Sequence, residues 1–192
     1  MYEILTGPMV WIAFAGLIGG TIYRLFSMAT AARREKSVLP IYDARFGARS
    51  ILHWIVPFAA RNMRMKPFFT ILSFAFHLCL LATPLLVMGH AVLWEQAWGF
   101  SWWSLPPLAA DVMTLVVIVG GVMLILRRIG APEVRNVTGP GEYVMILLVI
   151  APFVTGFVAK MQWLPYDTMI TLHIVTGVLW LIAIPFTRLS HA

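Results

Sequence analysis

Five stretches of this chain are too apolar and too long to face water. A bilayer-spanning helix needs roughly 20 predominantly apolar residues. The stretches run over about 4–26, 67–94, 105–127, 142–160 and 167–188, and only the third carries an acid well inside its bounds, Asp111. No charge falls between Glu3 and Arg24 or between Lys66 and Glu95. Lipid offers no hydrogen-bond partner to an open backbone, so each stretch is expected to be a helix. A transmembrane β-barrel would need apolar and polar residues in alternation, and these runs do not alternate. The expected fold class is therefore an all-α membrane protein of five transmembrane helices, forming one domain over residues 1–192.

Hydrophobic residues make up 60% of the chain and charged residues 11%, against about 25% charged in soluble domains. The net charge of +6 does not mark a nucleic-acid protein. The charges gather in short segments between apolar runs instead of lining a soluble face. Their placement sets an orientation. Residues 24–66 hold Arg24, Arg33, Arg34, Lys36, Arg45, Arg49, Arg61, Arg64 and Lys66; the next connection on that side holds Arg127, Arg128 and Arg135; Arg188 closes the chain. Thus 13 of the 14 basic residues fall on one side, and Lys160 alone falls opposite. The positive-inside rule makes the basic side cytoplasmic, with the N-terminus outside and the C-terminus inside. The expected location is the cytoplasmic (inner) membrane. The opening MYEILTGPMVW has an acid and no basic n-region, so the first run is expected to be retained, not cleaved.

The single cysteine, Cys79, excludes an intrachain disulfide, a CxxCH haem attachment and an iron–sulfur cluster held by this chain alone. The segment 27–66 is long for a connection. Its end, RSILHWIVPFAARNMRMK, is apolar in the middle and basic at both edges, which fits a membrane-surface element or the seat of a cytoplasmic partner. Trp94, Trp98, Trp102, Trp103 and Trp163 fit an interfacial aromatic belt, with a docking surface for another subunit as the alternative.

The histidines carry the chemistry. Four of the five lie on two antiparallel spans: His77 and His90 on the second, His173 and His191 on the fifth. An ionisable residue inside a span marks a functional site by default, and neutral imidazole is an axial ligand of haem iron. His90 is five residues from Glu95 and His173 six from Asp167, so both lie roughly 8 Å below the outer boundary at a rise of 1.5 Å per residue. They are placed to face each other across one b-type haem. His77 and His191 form the second pair by elimination, nearer the cytoplasm. The four histidines are thus the metal ligands expected of two haem b groups. His173 and His191 are 18 residues apart, five turns and one helix face. His77 and His90 are 13 apart, which on a straight helix puts them on different faces; Pro84 between them can kink the helix and shift its phase. The competing structural explanation is four buried, hydrogen-bonded packing residues. His53, beside Trp54, has no partner at its depth and reads as interfacial.

The closing sequence LHIVTGVLWLIAIPFTRLSHA, with His173 followed by Pro185-Phe186-Thr187-Arg188-Leu189-Ser190-His191, resembles the last helix of the nitrate reductase gamma-subunit family of five-helix dihaem b cytochromes. The first histidine pair of that family maps onto FHLCLLATPLLVMGH, with His77 and His90. The wider spacing here and the basic segment RNMRMKPFFTILSFAFH are more similar to the related cytochrome b subunits of sulfate-reducer respiratory complexes, in particular of the transmembrane redox complex that pairs with a heterodisulfide-reductase-like iron–sulfur protein. The resemblance implies an electron-transfer subunit of an oxidoreductase complex. Its electrons would pass between menaquinone or a periplasmic multihaem cytochrome c and a cytoplasmic iron–sulfur subunit. Lys160, with Glu95, Asp111, Trp163 and Asp167 nearby in depth, is a candidate to bond a quinone carbonyl or a haem propionate, against simple snorkelling to the interface. Arg188, one turn before His191, is a candidate partner for a propionate of the inner haem, against a lipid-phosphate role. The alternative function is a haem-free membrane anchor or a small transporter subunit.

Overall fold

The first apolar run continues as helix well past its apolar boundary. In the computed structural model, which describes residues 4–34 and 44–190, a π-helical turn at Leu5–Met9 leads into helix α1, Val10–Arg34. Residues 27–34 therefore belong to the helix and not to a surface segment, a correction to the sequence boundary. Charge marks where the apolar solvent ends, not where backbone hydrogen bonding ends. Alanines 29, 31 and 32 are strong helix formers, and Arg33 and Arg34 suit the negative end of the helix dipole. The remaining helices are α2 (Ala44–Ile55), α3 (Arg61–Met65), α4 (Pro67–Leu86), α5 (Met88–Trp98), α6 (Pro107–Gly130), α7 (Pro132–Arg135), α8 (Pro140–Met161) and α9 (Tyr166–Phe186), closed by a 3-10 turn at Arg188–Ser190. Pro107, Pro132 and Pro140 open their helices at the position where a missing N–H costs nothing.

The structure is 86% helical with no strand among the described residues. Five helical stretches are long and apolar enough to cross a membrane: Leu5–Arg34, Pro67–Trp98, Pro107–Gly130, Pro140–Met161 and Tyr166–Phe186. Their outward surfaces carry leucine, isoleucine, valine and phenylalanine, for example Ile22, Leu78, Leu81, Leu108 and Leu147. A soluble monomer does not expose apolar surface on that scale. The chain is a multi-pass membrane protein.

The chain divides into two compact units, Met1–Ile71 with Val178–Ala192, and Leu72–Gly177. In the first, Gly20 sits so close to Pro185 that a Cβ would meet its ring carbons at 2.7 and 2.8 Å. The Arg24 guanidinium donates to the Thr187 carbonyl at 2.7 Å and the Pro185 carbonyl at 3.3 Å, satisfying acceptors that the end of α9 leaves open. Arg64 donates to the carbonyls of Phe58 (3.0 Å) and Ala59 (2.6 Å), holding a turn in which Phe58 has φ 63°.

In the second unit, α6 is gripped on two sides. A Cβ on Gly120 would lie 2.9 Å from a ring carbon of Phe76, and Gly121 is equally tight against Ile150. These glycines serve close helix contact, the use that small residues have in membranes. The second span is broken. Pro84 lies in the last turn of α4, and Val87 is extended (φ −71°, ψ 133°) before α5 begins. A break in lipid must have its freed carbonyls satisfied. Three donors do so here: His90 Nδ1 on the Pro84 carbonyl (2.7 Å), the Trp102 indole on Leu85 (2.6 Å) and the Leu105 amide on Leu86 (2.8 Å). Gly99 ends α5 at φ 72°, a left-handed conformation that favours glycine, with its amide on Glu95.

Candidate cofactor site

Two spans bring their imidazoles together inside the second unit. The ring centroids of His90 on α5 and His173 on α9 are 5.9 Å apart with planes 23° from parallel. His90 is aimed by the break, its Nδ1 donating to a carbonyl that a straight helix would have engaged itself. His173 donates from Nδ1 to the Pro152 carbonyl of α8 at 2.7 Å. Pro152 is buried, and Gly156, four residues on, provides the room. A Cβ there would lie 2.8 Å from His173 Nδ1 and 2.9 Å from Cε1. Thr155 and Thr176 meet across α8 and α9 at 3.4 Å, beside the same ring.

His77 on α4 repeats the tethering, with Nδ1 on the Ser73 carbonyl at 2.7 Å. Three histidines thus share one arrangement. Nδ1 carries the proton and is bound to a main-chain carbonyl, so the lone pair is on Nε2. That arrangement orients metal-ligating histidines and fixes their tautomer. A packing histidine has no need to repeat it three times. Both His90 and His173 are half-buried, and neither ring makes another hydrogen bond among the described residues.

The donor set is informative in its size. Among the described residues no three His, Cys, Asp or Glu side chains converge. Two imidazoles suit a metal centre that brings its remaining ligands with it.

The other sequence candidates are distributed differently. His191 lies outside the described residues, so the pair His77 and His191 has no described geometry. Lys160 forms an ion pair with Asp111, joining α8 to α6. Arg188 is exposed in the 3-10 turn. His53 is exposed on α2 and Trp163 is 69% exposed. Pro152 and Gly156, whose roles depend on α9 lying against α8, carry no cue in the sequence, and neither does Trp102 as a clamp. Thr83, buried at 5%, has a hydroxyl with no hydrogen-bond partner among the described residues, whereas Thr114, Thr138, Thr155, Thr171 and Thr176 each bond back to the carbonyl four residues earlier. A cleft of about 320 Å³ between α4 and α6, lined by Leu72, Val112, Leu115, Val116, Val119 and Gly120, includes neither histidine and belongs to the apolar surface.

No family model matches this chain. A protein of Nitratidesulfovibrio vulgaris (strain Hildenborough) is 39% identical over 199 residues, an alignment covering 100% of this chain and 87% of that protein. The chain belongs to the same family as that protein.

Proposed function

We propose that this chain is a dihaem b-type cytochrome, the membrane subunit of a respiratory redox complex. The observation that carries this is the facing pair His90 and His173, each with Nδ1 fixed on a proline carbonyl and Nε2 left for iron. The residues present fit the group: two nitrogen donors, a glycine that clears space for one ring, and the buried, unpartnered hydroxyl of Thr83 seven residues before His90. When bound, such a group supplies reversible one-electron exchange at iron, which no side chain of this protein offers. His77 and His191 are assigned to the second haem.

The protein's own part is positional. The carbonyl tethers orient both imidazoles and raise the basicity of Nε2 toward a metal. The apolar spans keep water from the pair. Asp111 holds Lys160 at the end of α8, and an ammonium has three donors, so two remain for a propionate or a menaquinone carbonyl. Arg188 is assigned to a propionate of the second haem. The orientation is N-terminus outside and C-terminus cytoplasmic, in the inner membrane. Electrons then pass between menaquinone or a periplasmic multihaem cytochrome c and a heterodisulfide-reductase-like iron–sulfur subunit on the basic face. Arg61, Arg64 and Lys66 lie on that face and are assigned to a propionate or to an acidic partner surface.

A reduced-minus-oxidised spectrum with haem quantification tests this directly. Purified protein is expected to show b-type bands at two haems per chain, with His90→Ala and His191→Ala each removing one haem and leaving the other. A colourless protein would end the proposal in favour of a haem-free anchor or transporter.

A further inference from the structure

Helix α2 is apolar on one side, basic with Phe46 on the other, and solvent-exposed on both. At 100° per residue, Ala48, Ile51 and Ile55 share a face flanked by Leu52 and Trp54, while Arg45, Arg49 and His53 recur at every fourth position on the opposite side. Ile51, Leu52, Trp54 and Ile55 are 61%, 61%, 65% and 62% exposed. Phe46, at 68% exposed, makes a fifth, and five large apolar side chains on one 12-residue helix do not remain in water when an apolar phase is within reach.

We propose that α2 lies flat in the headgroup layer of the protein's own bilayer, its apolar face immersed and its basic stripe on the phosphates of anionic phospholipids. Three observations favour lipid over a protein cover. The helix sits between two spans in the sequence, nine residues after α1 ends and eleven before α4 begins, so the membrane is always close. Trp54 lies at the edge between the two faces, the depth at which interfacial tryptophans settle. Residues 24–66 carry nine basic residues against two acids, Glu35 and Asp43, a one-sign field complementary to anionic headgroups. An amphipathic helix of this kind binds through buried apolar area plus that attraction.

The experiment uses full-length protein in nanodiscs, with a nitroxide label on Ile51→Cys or His53→Cys; native Cys79 is buried, and the unsubstituted chain serves as labelling control. The probes are molecular oxygen, which enters lipid, and a water-soluble nickel chelate. In discs containing phosphatidylglycerol, the label at 51 is expected to meet oxygen and be shielded from the chelate, and the label at 53 the reverse. The double change Arg45→Gln with Arg49→Gln should lower the immersed-to-free ratio roughly five-fold per arginine in those discs, and leave it unchanged in pure phosphatidylcholine. Equal access of the chelate to both positions overturns the proposal. So does shielding of position 51 from both probes, which is the mark of a protein cover, and so does immersion that ignores lipid charge and the two arginines.

Discussion

Gly156 is the residue on which the geometry of the histidine pair turns most sharply. A methyl group there would collide with His173 at Nδ1 and Cε1, and neither a backbone carbonyl nor a ring constrained by its tether can yield cheaply. Gly156→Ala is therefore expected to displace His173 from the Pro152 carbonyl and, under the proposed function, to remove one of the two proposed haems and leave the other; haem quantification with electron paramagnetic resonance of the remaining centre checks this. Retention of both centres would show that the ring has room the structure does not give it. The histidines were legible in the sequence because depth is countable from charged boundaries: Glu95 and Asp167 locate His90 and His173 at one level. Gly156 was not legible, since a glycine in a membrane helix has many uses and only the approach of α9 selects this one.

At the scale of elements, the break after Pro84 is held open by bonds from outside its own span. Pro84→Ala restores an N–H for the Leu80 carbonyl, and a continuous helix through 67–98 would reclaim the Pro84 carbonyl from His90. The expected outcome is a straightened span and loss of the haem assigned to His90 and His173, read by haem content and by label-to-label distances across residue 87. Trp102→Phe removes one donor and strands the Leu85 carbonyl, at a cost of about 1–3 kcal/mol, measurable as a lower unfolding midpoint. Span positions were legible because lipid leaves the backbone no other option. The break was legible only as a proline. Val87 is β-branched and compatible with extended backbone, but so are Val116, Val117 and Val119, which stay helical, and the donors that stabilise the break come from residues 102 and 105, far along the chain. Helix ends were misplaced for a related reason: Ser27–Arg34 is polar enough to leave the apolar phase and alanine-rich enough to stay helical.

For the whole molecule, the distribution of basic residues gives the proposed orientation a direct test. A fluorescent protein fused after Ala192 is expected to glow, because it folds in the cytoplasm, and an alkaline phosphatase at the same position to be inactive; the opposite pair of results reverses the orientation and with it the assignment of inner and outer haems. The break in the second span has one more consequence. Trp102 and Leu105 belong to a solvent-side connection, yet they hold carbonyls adjacent in sequence to the one that holds His90. A shift of that connection therefore arrives at the imidazole through two peptide units. Under the proposed function, changes in that surface loop are expected to retune the His90 ligand beneath it, and the loop works as a tuning peg for the ring.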